Sequence, residues 1–222
     1  MKARDALNRN ALGYMALLAC WPLLLGAGGK SSIVNSPHNL SVTGTGVIKS
    51  ATETRVCIFC HSSHHASSDG PLWNHETTAP AKFKTYERST MLGKTEQPNG
   101  ATKLCLSCHD GTIAVGSVHN VPGGIPMQGV GANGEIPVGR KSHMGTDLSG
   151  THPVSVKFDQ QQSLAKSAMR WPPFDPTGEV GTDSDGFVQC TSCHDPHGSK
   201  SDKLPFWKKE TFGQVCVVCH EY

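Results

Sequence analysis

Five residues, C-x-x-C-H, recur four times in this chain: CIFCH (57–61), CLSCH (105–109), CTSCH (190–194) and CVVCH (216–220). Nothing else in the sequence limits the fold as tightly. Eight of the nine cysteines lie in these words, and every word ends in histidine. Two thiols three residues apart, followed at once by an imidazole, are the attachment signal of a covalent haem. The thiols add across the vinyl groups and the histidine comes to lie under the iron. Paired C-x-x-C groups also build tetrahedral zinc sites. Zinc does not call for a histidine after every pair, and it leaves the other eight of the twelve histidines unexplained. A dithiol redox motif has no reason to occur four times in one small chain. The pattern therefore predicts four haems c. The attachment pairs are Cys57 with Cys60, Cys105 with Cys108, Cys190 with Cys193, and Cys216 with Cys219. His61, His109, His194 and His220 are the first axial ligands.

Composition supports a fold built on something other than aliphatic side chains. The 222 residues include 24 glycines and 14 prolines, a share above the average of about 12%. Charged residues make up 17%, below the usual ~25%. Such a chain forms little helix and a thin core, and large porphyrins pinned by thioethers would supply what is missing. The expected fold is mostly irregular, with short helices and a few short strands, wrapped as one domain (30–222) around a chain of stacked haems. The motifs are unevenly spaced, with 48, 85 and 26 residues between successive first cysteines, so a regular solenoid is not expected. A formal charge of +2 without a basic, aromatic-rich cluster gives no sign of nucleic-acid binding.

A basic start, an apolar run (ALGYMALLACWPLLL) and the small-residue exit GAGGK describe a secretory signal over residues 1–29. The run is short and carries Pro22, a weak pattern for a membrane span. No second segment of spanning length follows. The expected destination is outside the cytoplasm, extracellular or at the cell surface, with the periplasm as the alternative. Cys20, in LLAC, offers a second exit as a lipidated N-terminus. The apolar WPLLL after it favours ordinary cleavage near Gly28 or Gly29.

Along the chain, 30–56 reads as a polar, irregular N-terminal arm and 70–100 as a loop-rich spacer. Residues 101–118 are the best helix, ending near Gly116. The Gly- and Pro-rich 119–150 reads as a long surface loop, and 151–158 as a short strand. Residues 178–190 read as a hairpin turning near Asp183–Gly186. The segment 204–220 is extended and then a turn of helix.

A haem held by one histidine keeps an open iron face; a second histidine closes it and suits electron transfer. Eight histidines lie outside the motifs: His38, His64, His65, His75, His119, His143, His152 and His197. His64 cannot close the haem held by His61. A ligand on the opposite face needs its Cα roughly 12 Å away, and three residues span at most ~11 Å fully extended. In a helical turn they span only about 5 Å. As a ligand, His64 must serve a different haem. The same spacing recurs in CTSCHDPH, where His197 follows His194 by three residues. That repeat favours His64 over His65. Pro153 biases His152 toward extended backbone. His75, His119 and His143 carry weaker signals.

The words SPHNLS, CIFCHSSH, PLWNH, LCLSCHDGT, GTDLSGTHPVS and CTSCHDPHG together resemble bacterial cytochromes with doubled C-x-x-C-H motifs. Their order resembles most the four-haem, filament-forming extracellular cytochromes of metal-reducing bacteria, the OmcE type, over most of 33–220. One departure is Ser63, where relatives carry proline. The resemblance implies bis-histidine haems, with His38 and His152 joining His64 and His197 as second ligands. It also implies head-to-tail stacking, in which a histidine crosses to the next subunit. By the resemblance that histidine is His64, reaching the haem at Cys216 and Cys219. The function so implied is electron transfer, not catalysis, between other redox proteins or extracellular acceptors. A monomeric periplasmic shuttle or donor subunit shares the same chemistry. A multihaem reductase would instead need one open or lysine-held iron.

Overall fold

The computed structural model describes residues 32–221, except 80, 81, 90, 92, 166, 167 and 199–204. The expected signal at 1–29 and Cys20 lie outside the described residues. Regular structure is sparse. The helices are α1 (Gly100–His109), α2 (Gln160–Leu164), α3 (Cys190–Cys193) and α4 (Phe212–Cys216), with 3-10 turns at Ile33–Asn35 and Cys57–Phe59. Strands are two residues long. β1 (Lys49–Ser50) pairs antiparallel with β2 (Met127–Gln128), and β3 (Val156–Lys157) with β4 (Phe187–Val188). This is the mostly irregular class that the motifs and the glycine content predict. No helix among the described residues is long and apolar enough to cross a membrane.

Among the described residues, buried apolar side chains form four small groups instead of one core. Each touches a C-x-x-C-H word. Ile58 and Phe59 group with Val118 and Ile125, and Cys60 packs on them. Cys108 packs on Ile48, Val115 and Ile136. Leu106 joins Phe83 and Leu148. Cys193 and Cys219 pack on Val180, Val215 and Val218. The apolar residues are too few to bury one another in one mass, and they gather at the thiols.

Several local expectations change. α1 stops at His109, well short of Gly116. Gly111 takes a φ of +69°, and a Cβ there would lie 2.1 Å from the His143 ring. The amides of Asp110 and Gly111 turn back to Leu106 and Cys108, a glycine stop of the usual kind. Residues 119–150 are not simply a surface loop, because Ile125, Ile136 and Leu148 are buried. Glycine here permits close backbone approach. A Cβ on Gly116 would lie 1.9 Å from the Ile125 carbonyl oxygen, which accepts no such neighbour. The N-terminal arm is irregular but packed, with Asn39, Ser41 and Ser50 fully buried. The turn at Asp183–Gly186 forms through Gly186 N–H to the Asp183 carbonyl at 3.1 Å. The Asp183 amide donates across the turn to the Phe187 carbonyl at 2.9 Å, and the strand leaving the turn also pairs with β3, within the predicted 151–158 strand.

Candidate haem-binding centre

All four words are wound on helical turns. The His61, His194 and His220 amides donate to the carbonyls of Cys57, Cys190 and Cys216 at 2.8, 3.1 and 2.9 Å. The second word closes α1. A turn of 3.6 residues puts positions i and i+3 on one face, so both thiols of a word point the same way with the histidine beside them. Two of the words sit against each other. Gln189, 2% exposed, accepts from the Thr102 amide at 3.2 Å and donates to Asn99 at 2.7 Å. The Cys190 amide donates to Thr102 Oγ1 at 3.1 Å. These bonds lock the start of α3 onto the start of α1 and bring the Cys105 and Cys190 thiols into hydrogen-bond contact. Cys60 interacts with Cys108, and Cys193 with Cys216 and Cys219. The thiol pairs thus adjoin in chain order. Burial pushes the Cys60 and Cys108 thiols up to about 12 and Cys193 up to about 11. Among the described residues, no three His, Cys, Asp or Glu side chains converge as a metal-ion site.

The histidines pair across the chain. His61 and His197 have ring centroids 6.0 Å apart, His38 and His109 6.1 Å, and His152 and His220 6.2 Å. Two imidazoles on one iron, with metal–nitrogen bonds of about 2 Å and each ring centre about 1 Å further on, have centroids about 6 Å apart. Three of the four motif histidines therefore face a second histidine at the spacing an iron between them requires. His194 does not. The ring beside it is Trp207, at 4.5 Å. His64 and His65 are both exposed. Residues 184–222, carrying the third and fourth words, match the family described as the doubled CXXCH motif. The match spans the C-terminal 39 of 222 residues, and the first and second words repeat the same C-x-x-C-H pattern outside it. A search of the curated proteins finds no match.

The ring nitrogens of these histidines are held in a form that can bind a metal. The Nδ1–H groups of His38, His109, His152 and His194 donate to the carbonyls of Pro196, Ser142, Pro153 and Pro205 at 3.2, 2.8, 3.0 and 2.6 Å. This fixes the tautomer and leaves Nε2 as the donor to a metal. Burial lowers the pKa of His38, His61, His194 and His220, favouring the neutral imidazole that a metal needs. His75 is different. It is fully buried and both nitrogens are engaged, Nδ1 with the Glu76 carbonyl at 2.8 Å and Nε2 with the Ala114 carbonyl at 3.1 Å. His143 gives Nδ1 to the Ile136 carbonyl at 2.8 Å, and His119 is exposed. One further feature fits a bound haem. Trp73 stands edge-on to His61 at 5.9 Å, and its Nε1 is a buried donor with no protein partner. A haem carboxylate is the acceptor such a group lacks.

The sequence reading missed a local duplication. His61 and Trp73 form a single antiparallel bridge, and so do His194 and Trp207. The residue before each tryptophan, Leu72 and Phe206, has a positive φ, 56° and 66°. Its carbonyl accepts from the residue after the motif histidine, Ser62 or Asp195, at 2.9 Å in both cases. The words Pro71-Leu72-Trp73 and Pro205-Phe206-Trp207 carry that signal in the sequence.

Proposed function

We propose that this chain is a multihaem c-type cytochrome, that it carries electrons through four bis-histidine haems c, and that it assembles head to tail into a filament outside the cell. In this reading His64 of one subunit completes the coordination of haem 3 in the next. The observation that carries it is the set of three histidine pairs at 6.0–6.2 Å, with His194 left over. Bound haem supplies a one-electron iron couple, closed to other ligands by two imidazoles. His61 and His197 hold haem 1, His109 and His38 hold haem 2, and His220 and His152 hold haem 4. His194 holds one face of haem 3. The resemblance alone pointed His64 toward haem 4. His152, 6.2 Å from His220, supports moving that junction to haem 3.

The exposed His64 cannot reach its own haem, so a second chain is its natural partner. A ligand passed in one direction makes a heterologous contact that does not close, and such contacts propagate fibres. The sequence signal at 1–29 supports an extracellular setting, where acceptors or other redox proteins would meet the filament. The test pairs electron microscopy with electron paramagnetic resonance on the purified holoprotein. Filaments with only low-spin iron are expected. Monomers with one high-spin, carbon monoxide-binding iron per chain would instead indicate a shuttle with an open haem.

A further inference from the structure

We infer that Ser62 and Asn120 are positioning residues for His64, holding it on a rigid turn for delivery to the neighbouring subunit. This rests on the reading of His64 given above. The duplication shows how the device works. After His194, Asp195 Oδ1 accepts from the His197 amide at 3.0 Å. That turn presents the His197 ring 6.0 Å from His61. After His61, Ser62 Oγ takes the same place. It accepts from the His64 amide at 3.3 Å and donates to the His64 carbonyl at 2.5 Å. A side-chain oxygen bonded to the backbone two residues on fixes a tight turn in both units.

The first unit has a brace from a distant segment. Asn120 Nδ2 donates to Ser62 Oγ at 2.9 Å. Asn120 Oδ1 accepts from Asn74 Nδ2 at 2.7 Å, and the Asn120 amide donates to Asn74 Oδ1 at 3.1 Å. Asn74 is fully buried and also donates to the Ile58 carbonyl, inside the first motif. The path runs from the motif through Asn74 and Asn120 to Ser62, and ends on both backbone groups of His64. Ser63, where a proline would stiffen the turn, makes such a brace useful. The bonds stop at His64. His65 lies beyond them with a φ of +58°, where the chain reverses.

An exposed ligand that must be ordered at a junction loses affinity to the entropy of immobilising its side chain. Removing the brace should therefore weaken assembly about tenfold at most. The experiment measures the critical concentration for filament formation by sedimentation. It uses holoprotein of Asn120→Ala, Ser62→Ala and Ser62→Asp beside His64→Ala, with haem content and thermal unfolding as controls. Asn120→Ala retains its backbone bond to Asn74, so the fold around the first motif is kept. Ser62→Asp copies the second unit and should assemble like the parent. The alanine variants should raise the critical concentration several-fold with haem content and unfolding temperature unchanged. If His64→Ala abolishes filaments while both alanine variants assemble normally, the positioning role is wrong and the His64 reading stands. If His64→Ala itself assembles normally, both are wrong.

Discussion

The two stretches Cys57–His64 and Cys190–His197 have the same pattern, C-x-x-C-H-x-x-H, and the same bridge from the motif histidine to a tryptophan, yet their second histidines end in different places. His197 lies 6.0 Å from His61, so in the proposed reading the third word would close the first word's haem from within the chain. His64 does not return the service. It is exposed, and no second histidine faces His194 among the described residues. A motif used reciprocally would make a closed monomer. Used in one direction only, as proposed, it would leave one ligand and one open face per chain, which is what a polymer needs.

The largest effect expected is at this asymmetry. His197→Ala should open one iron per chain to carbon monoxide while subunits still join, because that iron lies inside the chain. His64→Ala should open one iron per chain and also abolish filaments. Carbon monoxide titration beside electron microscopy reads both. Identical behaviour of the two variants would remove the distinction between the words.

The second effect contrasts a buried ion pair with an exposed one. Lys209 Nζ lies 2.6 Å from Asp175, whose side chain is 2% exposed, and the Glu179 and Val180 amides donate to the same carboxylate. Burial pushes the Asp175 carboxyl up, but the ammonium and the amide donors outweigh it and hold the carboxyl well below the usual range. A depressed carboxylate stabilises the fold above its unfolded pKa, about 4, and that contribution is lost as pH falls through the lower folded value. Lys209→Met should cost about 3 kcal/mol near neutral pH by stranding a buried charge. The gap to the parent should narrow below about pH 4, as acid unfolding curves would show. Lys84, paired with Asp147, is 70% exposed. Lys84→Met should leave stability unchanged.

A smaller effect is expected where the two halves meet. Gln189→Ala leaves the buried Thr102 amide without its acceptor, at about 1–3 kcal/mol. Haem incorporation should survive, since the thiols and histidines are untouched. Electron exchange between haems 2 and 3 should slow, because the α1–α3 lock sets the contact of Cys105 with Cys190. Denaturant unfolding and pulse-radiolysis kinetics would check the two parts separately.

Much of the centre was legible in the sequence, and the reasons differ by residue. The C-x-x-C-H words and the inability of His64 to serve its own haem follow from covalent geometry, which needs no fold. The partners were not legible as pairs. His38 meets His109, and His61 meets His197, only because irregular segments far apart in sequence fold back, and no periodicity encodes that. The stop of α1 was legible in Asp110-Gly111 but was outweighed by the apolar pattern beyond it. The packing of 119–150 was hidden because glycine marks both flexible loops and close backbone contacts, and only the neighbours decide between them. The Pro-Leu-Trp and Pro-Phe-Trp words were visible, but their equivalence becomes evident only once both tryptophans bridge a motif histidine.

The smallest effect concerns those tryptophans. Trp73 meets His61 edge-on at 5.9 Å, whereas Trp207 lies nearly parallel to His194 at 4.5 Å, with 26° between the planes. The Trp73 indole N–H is buried without a protein acceptor. If it faces a haem carboxylate, Trp73→Phe keeps most of the ring against His61 and removes only the donor. The carboxylate then carries its charge less well screened beside haem 1, which favours the oxidised iron and lowers that haem's potential. Stability should change by less than about 1 kcal/mol, since no protein partner loses a bond. Spectroelectrochemical titration of the variant should show one component shifted to lower potential and the others in place. A titration superimposable on the parent's would mean that the indole does not face the carboxylate, and the unpaired donor would need another acceptor.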